Sequence, residues 1–155
     1  MKPAPMTVER IPEHLPDWIK QHLTQYSEDP EVGHMWDATA AGGKGPTPCL
    51  ILTTIGRRSG RTLPMPLIYG RDGDKLTVIA SKGGASQHPG WYLNLSADPN
   101  VGVQLINECF AATARTAEGT ERQRLWDLMV DIYPPYLDYQ KKTERQIPVV
   151  VLERA

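Results

Sequence analysis

Residues 49–81 read CLILTTIGRRSGRTLPMPLIYGRDGDKLTVIAS, and this stretch decides the fold. Three apolar, β-branched runs within it predict strands at Cys49–Thr54, Leu63–Gly70 and Lys75–Ser81. The Asp72-Gly73 pair between the second and third runs is the strongest short signal for a hairpin turn. The stretch therefore predicts three consecutive strands, with a polar glycine-containing turn between the first two.

The flanking sequence adds further strands and helices. Alternation over Val101–Leu105 and apolar runs at Cys109–Ala117 and Ile147–Leu152 predict three more strands. Helical spacing predicts helices over 17–26, 31–40, 118–131 and 136–145, with a short one over 88–95. About six strands with these helices predict an α+β protein: a small β-barrel with N-terminal helices and a helix before the last strand.

The length of 155 residues fits a single domain. Within it, residues 1–45 are predicted to form a proline-rich arm and helices that end in a glycine-rich connector. Residues 46–155 are predicted to form the barrel domain.

Composition excludes several classes of protein. The net charge of −1 gives no reason to expect a nucleic-acid partner. Cys49 and Cys109 are the only cysteines and each lies in an apolar stretch, which predicts reduced thiols and a cytoplasmic location, with a disulfide left open. The four histidines lack metal-binding spacing, so no metal is expected. No apolar leader or membrane span is visible, although a peripheral membrane contact through the N-terminal arm stays open.

The turn Gly56–Thr62 contains three arginines in five residues and no nearby acid. Backbone N–H groups of a glycine-rich turn and flanking guanidinium groups bind phosphate or carboxylate well. A solvated basic turn explains the same residues equally well. The turn lacks the nucleotide P-loop pattern, so it predicts an anion site of unspecified purpose.

The segment Ala80–Gly84 ends the third strand with a hydroxyl, an ammonium group and two glycines. Such an end lets a large planar ligand approach closely. Taken alone, a simple strand-ending turn is the better interpretation.

Tyr133, Tyr136 and Tyr139 are spaced by three, which predicts rings on one helical face. Core packing is the usual reason for such spacing. The chain contains six tyrosines and one phenylalanine, however, so a role for the tyrosine hydroxyl groups is predicted. A pocket lined with phenols suits the polar edge of an aromatic substrate.

Four motifs in order resemble the deazaflavin (coenzyme F420)-dependent nitroreductase and quinone reductase family. They are TTIGRRSG at 53–60, PLIYGRDGD at 66–74, ASKGGASQHPGWYLNL at 80–95 and YPPYLDYQKKTERQIPVVVLE at 133–153. The resemblance implies a split β-barrel related to FMN-binding oxidoreductases. It also implies an F420H2-dependent enzyme that passes a hydride to a quinone, an activated C=C bond or a nitroaromatic compound.

Carried over by position, the resemblance implies a coenzyme site built from the basic turn, the second strand, the end of the third strand and the short helix. Its residues are Arg57, Arg58, Ser59, Leu63, Pro64, Met65, Pro66, Leu67, Ile68, Tyr69, Ile79, Ala80, Ser81, Lys82, Gly90, Trp91, Tyr92, Leu93, Asn94 and Tyr136. It implies a substrate site at Tyr133, Tyr136, Tyr139 and Ile68. Ser81, Tyr133 and Tyr136 are expected to act in catalysis, by stabilising the anion formed on the acceptor.

Two positions depart from the family pattern. Leu63 stands where some relatives have an arginine, and Ile68 where some have a substrate-facing tyrosine; reduction of bulky nitroimidazoles is therefore not expected. Two alternatives stay open at this point. One is an FMN-dependent oxidoreductase of the same barrel type, and the other is a non-catalytic carrier of F420 or lipid.

Overall fold

The computed structural model describes residues 15–37 and 42–155. Its centre is an antiparallel sheet, and its helices lie around that sheet. The strands are β1 Met35–Asp37, β2 Pro46–Ile55, β3 Thr62–Ile68, β4 Gly70–Asp72, β5 Lys75–Ile79, β6 Asn100–Leu105, β7 Glu108–Thr116 and β8 Val149–Arg154. The helices are α1 Asp17–Glu28, α2 Pro30–His34, α3 Gly90–Ala97, α4 Gly119–Ile132 and α5 Pro135–Lys141, with a 3-10 turn at Lys82–Gly84.

The sheet has the order β1-β2-β6-β7-β8-β5-β4, and β3 pairs with β2 beside this path. Within the described residues, β3 has β2 as its one strand partner, with Thr53 opposite Pro64 and Ile51 opposite Pro66. Proline lacks a backbone N–H and is tolerated in edge strands. The two prolines therefore explain why β3 is an edge and why that edge stays available to a ligand.

Alternating side chains of the strands divide the core in two. Leu76 and Val78 of β5 join the cluster inside the curled sheet. Ile79 belongs instead to the cluster with Leu125 and Met129 of α4. Because successive strand residues point to opposite faces, one strand serves both clusters.

Helix α1 is fastened to the sheet by Tyr26. The Tyr26 hydroxyl accepts a hydrogen bond from the Ile106 backbone N (2.8 Å) and donates to the Cys49 carbonyl oxygen (3.1 Å). Ile19 and Leu23 of the same helix pack with Ile51 of β2. These contacts fix the position of α1 beside β3.

The helix predicted over 31–40 is wrong beyond His34. Gly33 lies so close to α1 that a Cβ there would stand 2.4 Å from the Tyr26 Cα. From Met35 the chain instead forms β1, which pairs with β2 at Pro48. Residues 38–41 lie outside the described part of the chain.

The sheet has eight strands in the described residues, where about six were predicted. β1 was missed altogether, and the predicted strand 63–70 divides at Tyr69 into β3 and β4. Tyr69 turns into the barrel core, where its hydroxyl lies 2.6 Å from His34 Nε2.

The predicted helix 136–145 ends at Lys141, and the last strand starts at Val149 rather than at residue 147. The α+β class, the N-terminal helices and the helix before the last strand are confirmed.

The predicted N-terminal arm and its membrane contact fall on residues 1–16, of which 1–14 lie outside the described residues. Across residues 15–37 and 42–155, no helix is long and apolar enough to cross a bilayer.

Candidate active site

A cavity of about 930 Å³ lies along the edge strand β3. Every residue from Leu63 to Ile68 lines it, and α1, α3, α5 and the Ser81–Gly83 segment supply the other walls. This volume is near the upper end of the ~300–1,000 Å³ range of small-molecule sites. The cavity can therefore hold a large ligand or two smaller ones.

The basic turn forms one end of the cavity. Its backbone is tight, since Gly56 N donates to the Arg61 carbonyl oxygen at 2.7 Å. A Cβ on Gly56 would stand 2.5 Å from Ser59 Oγ, so a larger residue there would displace the Ser59 side chain. Arg57, Arg58 and Ser59 line the cavity from this turn, whereas Arg61 does not.

Asn94 of α3 holds Arg57 in place. Its Oδ1 accepts hydrogen bonds from Arg57 N (3.1 Å) and from Arg57 Nη1 (2.9 Å). Its Nδ2 donates to Thr54 Oγ1 at 3.1 Å. Asn94 is buried, so this network joins β2, the basic turn and α3 without exposing the amide to solvent.

The Ser81–Gly83 segment faces the same cavity. Lys82, Gly83 and Gly84 all have positive φ angles of 46°, 62° and 83°. This conformation is uncommon for a non-glycine residue such as Lys82. It directs the chain sharply away from β5 and leaves Ser81 and Lys82 at the cavity wall.

The three tyrosines form the opposite end of the cavity. Tyr133 follows α4 directly and Tyr136 and Tyr139 lie in α5, so the prediction of a single helical face is wrong. The Pro134-Pro135 corner nevertheless brings the rings together. Tyr133 and Tyr136 meet edge to face with centroids 4.9 Å apart. The Tyr133 and Tyr139 hydroxyls are 2.8 Å apart.

Burial keeps the phenols of Tyr133 and Tyr136 protonated. It raises the pKa of Tyr133 above its ordinary value, and the hydrogen bond with Tyr139 raises it further. Burial also raises the pKa of Tyr136 strongly. The Tyr136 hydroxyl has no hydrogen-bond partner among the described residues, and it therefore remains able to donate to a ligand in the cavity.

Sequence reasoning missed the wall that α1, β1 and Cys49 of β2 contribute. Trp18, His22, Trp36 and Cys49 line the cavity. The spacing of Trp18 and His22 with Ile19 indicated one stripe of α1, but spacing alone did not distinguish a core from a cavity wall. Burial raises the pKa of Cys49 to about 12, so this cysteine is an unreactive thiol near neutral pH.

The family model for the F420H(2)-dependent quinone reductase matches residues 21–154. The chain belongs to this family. A Mycobacterium tuberculosis (strain ATCC 25618 / H37Rv) protein named F420H(2)-dependent quinone reductase is 39% identical over 113 residues, which are 71% of this chain and 76% of that protein. These findings confirm the family, the enzyme class and the coenzyme F420 that the four motifs implied.

Solved structures support the same assignment. An F420-H2 dependent reductase called FDR-A is 43% identical with a TM-score of 0.64, covering 68% of this chain and 93% of that one. A structure described as a domain-swapped dimer gives the same identity and TM-score, covering 68% of this chain and 79% of its own. HutZ, a heme storage protein from Vibrio cholerae, shares the fold alone, with 15% identity and a TM-score of 0.54 over 69% of this chain and 81% of that one.

The residues of the reductase around the cavity fit a deazaflavin coenzyme. Arg58 and Lys82 line the cavity, and neither makes an ion pair within the described residues, so both can meet an anionic tail. The proline-containing edge of β3 and Trp91 supply apolar surface for a planar ring. At Gly83 and Gly90 no atom lies within 4 Å of where a Cβ would stand, which allows close approach of a ligand.

Most residues that the resemblance implied for the site meet at this one cavity. Those lining it are Arg57, Arg58, Ser59, Leu63, Pro64, Met65, Pro66, Leu67, Ile68, Ile79, Ser81, Lys82, Gly90, Trp91, Asn94, Tyr133, Tyr136 and Tyr139. Four do not line it, namely Tyr69, Ala80, Tyr92 and Leu93. Tyr69 and Ala80 belong to the barrel core, and Tyr92 bonds through its hydroxyl to Thr116 Oγ1 at 2.8 Å. Within the described residues, no cluster of His, Cys, Asp and Glu could hold a metal ion.

Proposed function

We propose that the reductase transfers a hydride from reduced F420 to a quinone, and more slowly to activated C=C compounds and small nitroaromatics. One observation carries the proposal: a single cavity joins a basic end to a phenolic, apolar end. At the basic end, Arg58 and Lys82 make no ion pair within the described residues. An anionic coenzyme suits the first end and an uncharged aromatic acceptor suits the second. The names of the family and of its relatives support the quinone as acceptor.

In this proposal the basic end binds the coenzyme. Arg58, Ser59 and Lys82 contact its phosphate and carboxylates. Arg57 lies near the same anionic groups while its guanidinium is hydrogen-bonded to Asn94. The β3 edge and Trp91 pack against the deazaflavin ring and exclude water. These contacts exist before and during the reaction, so they raise affinity rather than the rate of the chemical step.

When bound, the reduced coenzyme supplies the hydride. Quinone reduction also requires one proton, so that the added hydride and proton together make the hydroquinone. Tyr136 donates a hydrogen bond to the acceptor oxygen on which negative charge develops, and Ser81 supplies a second donor. The hydroxyl pair of Tyr133 and Tyr139 passes a proton from solvent, because Tyr139 is partly exposed while Tyr133 is buried.

The acceptor preference follows from the apolar walls. Ile68 and Leu63 both line the cavity where a tyrosine and an arginine occur in some relatives. Neither side chain can donate a hydrogen bond to a nitro group or a phosphate. We therefore expect quinones to be better acceptors than bulky nitroimidazoles.

Parallel titrations with oxidised F420 and FMN test the proposal. Trp18, Trp36 and Trp91 line the cavity, so ligand binding should quench tryptophan fluorescence. We expect tight F420 binding, little FMN binding, and oxidation of F420H2 with a panel of quinones. Equal or tighter FMN binding would favour the FMN-dependent alternative. F420 binding without turnover on any quinone, C=C or nitro acceptor would favour the carrier.

A further inference from the structure

Arg145 makes an unusual set of contacts. It lies between α5 and β8, and its guanidinium donates to three carbonyl oxygens of one short segment: Ala80 (3.2 Å), Ser81 (2.7 Å) and Ala85 (2.8 Å). A further N–H, on Nη1, donates to His88 Nδ1 at 3.1 Å. One side chain therefore holds both ends of the 80–85 segment and the residue that precedes Pro89 and α3.

These partners are all uncharged. Arg145 makes no ion pair with any carboxylate in the described residues, and burial lowers its pKa from the ordinary value. A cation that is partly buried without a counter-ion is not placed for charge pairing. The planar guanidinium instead offers several N–H donors in a fixed geometry, which suits the positioning of backbone carbonyls.

The segment held by Arg145 needs such support. Lys82 adopts a φ of 46°, and Gly83 and Gly84 follow with positive φ. Backbone in sparsely populated regions persists where its surroundings over-determine it. The carbonyl oxygens bonded to Arg145 flank this strained stretch on both sides.

The same segment is packed directly against α5. A Cβ on Gly84 would stand 2.6 Å from the Tyr139 carbonyl oxygen and 2.9 Å from the Tyr139 Cα. Backbone therefore meets backbone with no intervening side chain. Ser81 and Lys82 on one cavity wall are thus joined rigidly to Tyr136 and Tyr139 on the other.

We propose that Arg145 is a positioning residue that sets the distance between the coenzyme-facing wall, Ser81 and Lys82, and the acceptor-facing tyrosines of α5. Through His88 it also holds the start of α3, where Gly90 and Trp91 line the cavity. Arg145 itself does not line the cavity. The identity of the two walls rests on the proposed function. The hydrogen bonds from Arg145 to residues 80–85 and His88, called the clamp below, do not depend on it.

The consequence is a specific kinetic signature. Without the clamp the 80–85 segment can relax, which displaces the Lys82 ammonium and the Ser81 hydroxyl together. Coenzyme affinity should fall because Lys82 moves. Turnover should fall as well, since a displacement of about 1 Å between reacting groups can cost on the order of 100-fold in rate.

The test compares Arg145→Gln with Arg122→Gln. Arg122 is a matched control because its Nη2 donates to the Ile147 carbonyl oxygen at 2.8 Å, burial lowers its pKa too, and it lies outside the cavity. In the ligand-free proteins we expect faster amide hydrogen exchange over residues 81–85 in Arg145→Gln and not in Arg122→Gln. Unchanged exchange at 81–85 would overturn the clamp, whatever the activity of the enzyme.

Kinetics with F420H2 then test the positioning role. Arg145→Gln should raise KM for F420H2 several-fold and lower kcat at least tenfold, while Arg122→Gln changes neither. Lys82→Ala in the Arg145→Gln background should cost less than in the wild type, since the ammonium is already displaced. Full additivity, or equal kinetics in both arginine variants, would overturn the proposal.

If Arg145→Gln does not fold, Arg145→Lys takes its place. Lysine keeps the charge but cannot reach all three carbonyl oxygens, so the same shifts in exchange and kinetics should follow with smaller size. Wild-type kinetics together with wild-type exchange in Arg145→Lys would overturn the inference. Failure of the wild-type protein to oxidise F420H2 would overturn the proposed function and leave the exchange test standing.

Discussion

Asn94 Oδ1 accepts two hydrogen bonds from Arg57, one from its backbone N and one from its guanidinium. A buried amide on α3 thereby sets the position of a cation at the basic end of the cavity. The Thr54 hydroxyl, which is fully buried, completes the network by accepting from Asn94 Nδ2. The basic turn and α3 consequently behave as one unit.

Asn94→Ala should weaken both stability and coenzyme binding. The change leaves the Thr54 hydroxyl and the Arg57 N–H without partners, and unsatisfied buried groups cost about 1–3 kcal/mol. We expect a lower free energy of unfolding and a roughly tenfold higher Kd for F420, equivalent to about 1.4 kcal/mol. Asn100→Ala is the control, since Asn100 bonds to Asp98 and lies outside the cavity. Wild-type F420 affinity in Asn94→Ala would show that Arg57 does not need to be held.

Arg58→Ala and Lys82→Ala should raise KM for F420H2 more than they lower kcat. Their contacts with an anionic tail are equal in the ground and transition states, so their loss weakens uniform binding. Salt should weaken wild-type binding, because exposed charges are screened over ~8–10 Å at physiological ionic strength. Arg61→Ala is the matched control, because Arg61 lies in the same turn but does not line the cavity. A selective loss of kcat with unchanged coenzyme affinity would place Arg58 and Lys82 in the chemical step.

Tyr136→Phe and Tyr133→Phe should slow hydride transfer by about tenfold or more, a barrier change of about 1.4 kcal/mol per decade. Each substitution removes one hydroxyl and keeps the ring contacts within the tyrosine cluster. Single-turnover transfer and the melting temperature are measured on each variant. Tyr92→Phe is the control, as its hydroxyl bonds to Thr116 away from the cavity. Wild-type rates with every acceptor, together with a lower Tm, would assign these tyrosines to packing.

The stability of the reductase should fall as the pH drops below about 6.5. Burial lowers the pKa of His22 below its ordinary value of 6.5, although the hydrogen bond to the Gly33 carbonyl oxygen opposes this. Below pH 6.5 the unfolded chain therefore binds a proton at His22 more readily than the folded chain does. Protonation stabilises the unfolded state, so the free energy of unfolding falls. The pKa values of His34 and His88 are lowered in the same direction, also chiefly by burial.

His22→Gln isolates the contribution of His22. Glutamine can still donate to the Gly33 carbonyl oxygen but does not titrate, so the dependence of the unfolding free energy on pH should become less steep. Denaturant unfolding at a series of pH values measures this slope. An identical slope in the variant would mean that His22 is protonated equally in both states.

The sequence by itself determined most of the local elements, together with the family and its coenzyme. Apolar β-branched runs and the Asp72-Gly73 turn act on their near neighbours along the chain, so their effects are visible in the printed letters. The order of the four motifs was sufficient to identify the family and its coenzyme. The arginine-rich turn and the tyrosine series each predicted a ligand site, but their letters alone fitted a solvated turn and core packing as well.

Only the tertiary structure decided which residues of those motifs face the cavity. Ser81 and Trp91 line it, whereas their neighbours Ala80 and Tyr92 do not. The packing of each segment against distant parts of the chain decides this: Ala80 is buried in the barrel core, and the Tyr92 hydroxyl bonds to Thr116 Oγ1. The same holds for Arg145, which bonds to carbonyl oxygens 60 to 65 positions away. Local patterning does not encode such contacts, because they form when the helices close over the sheet.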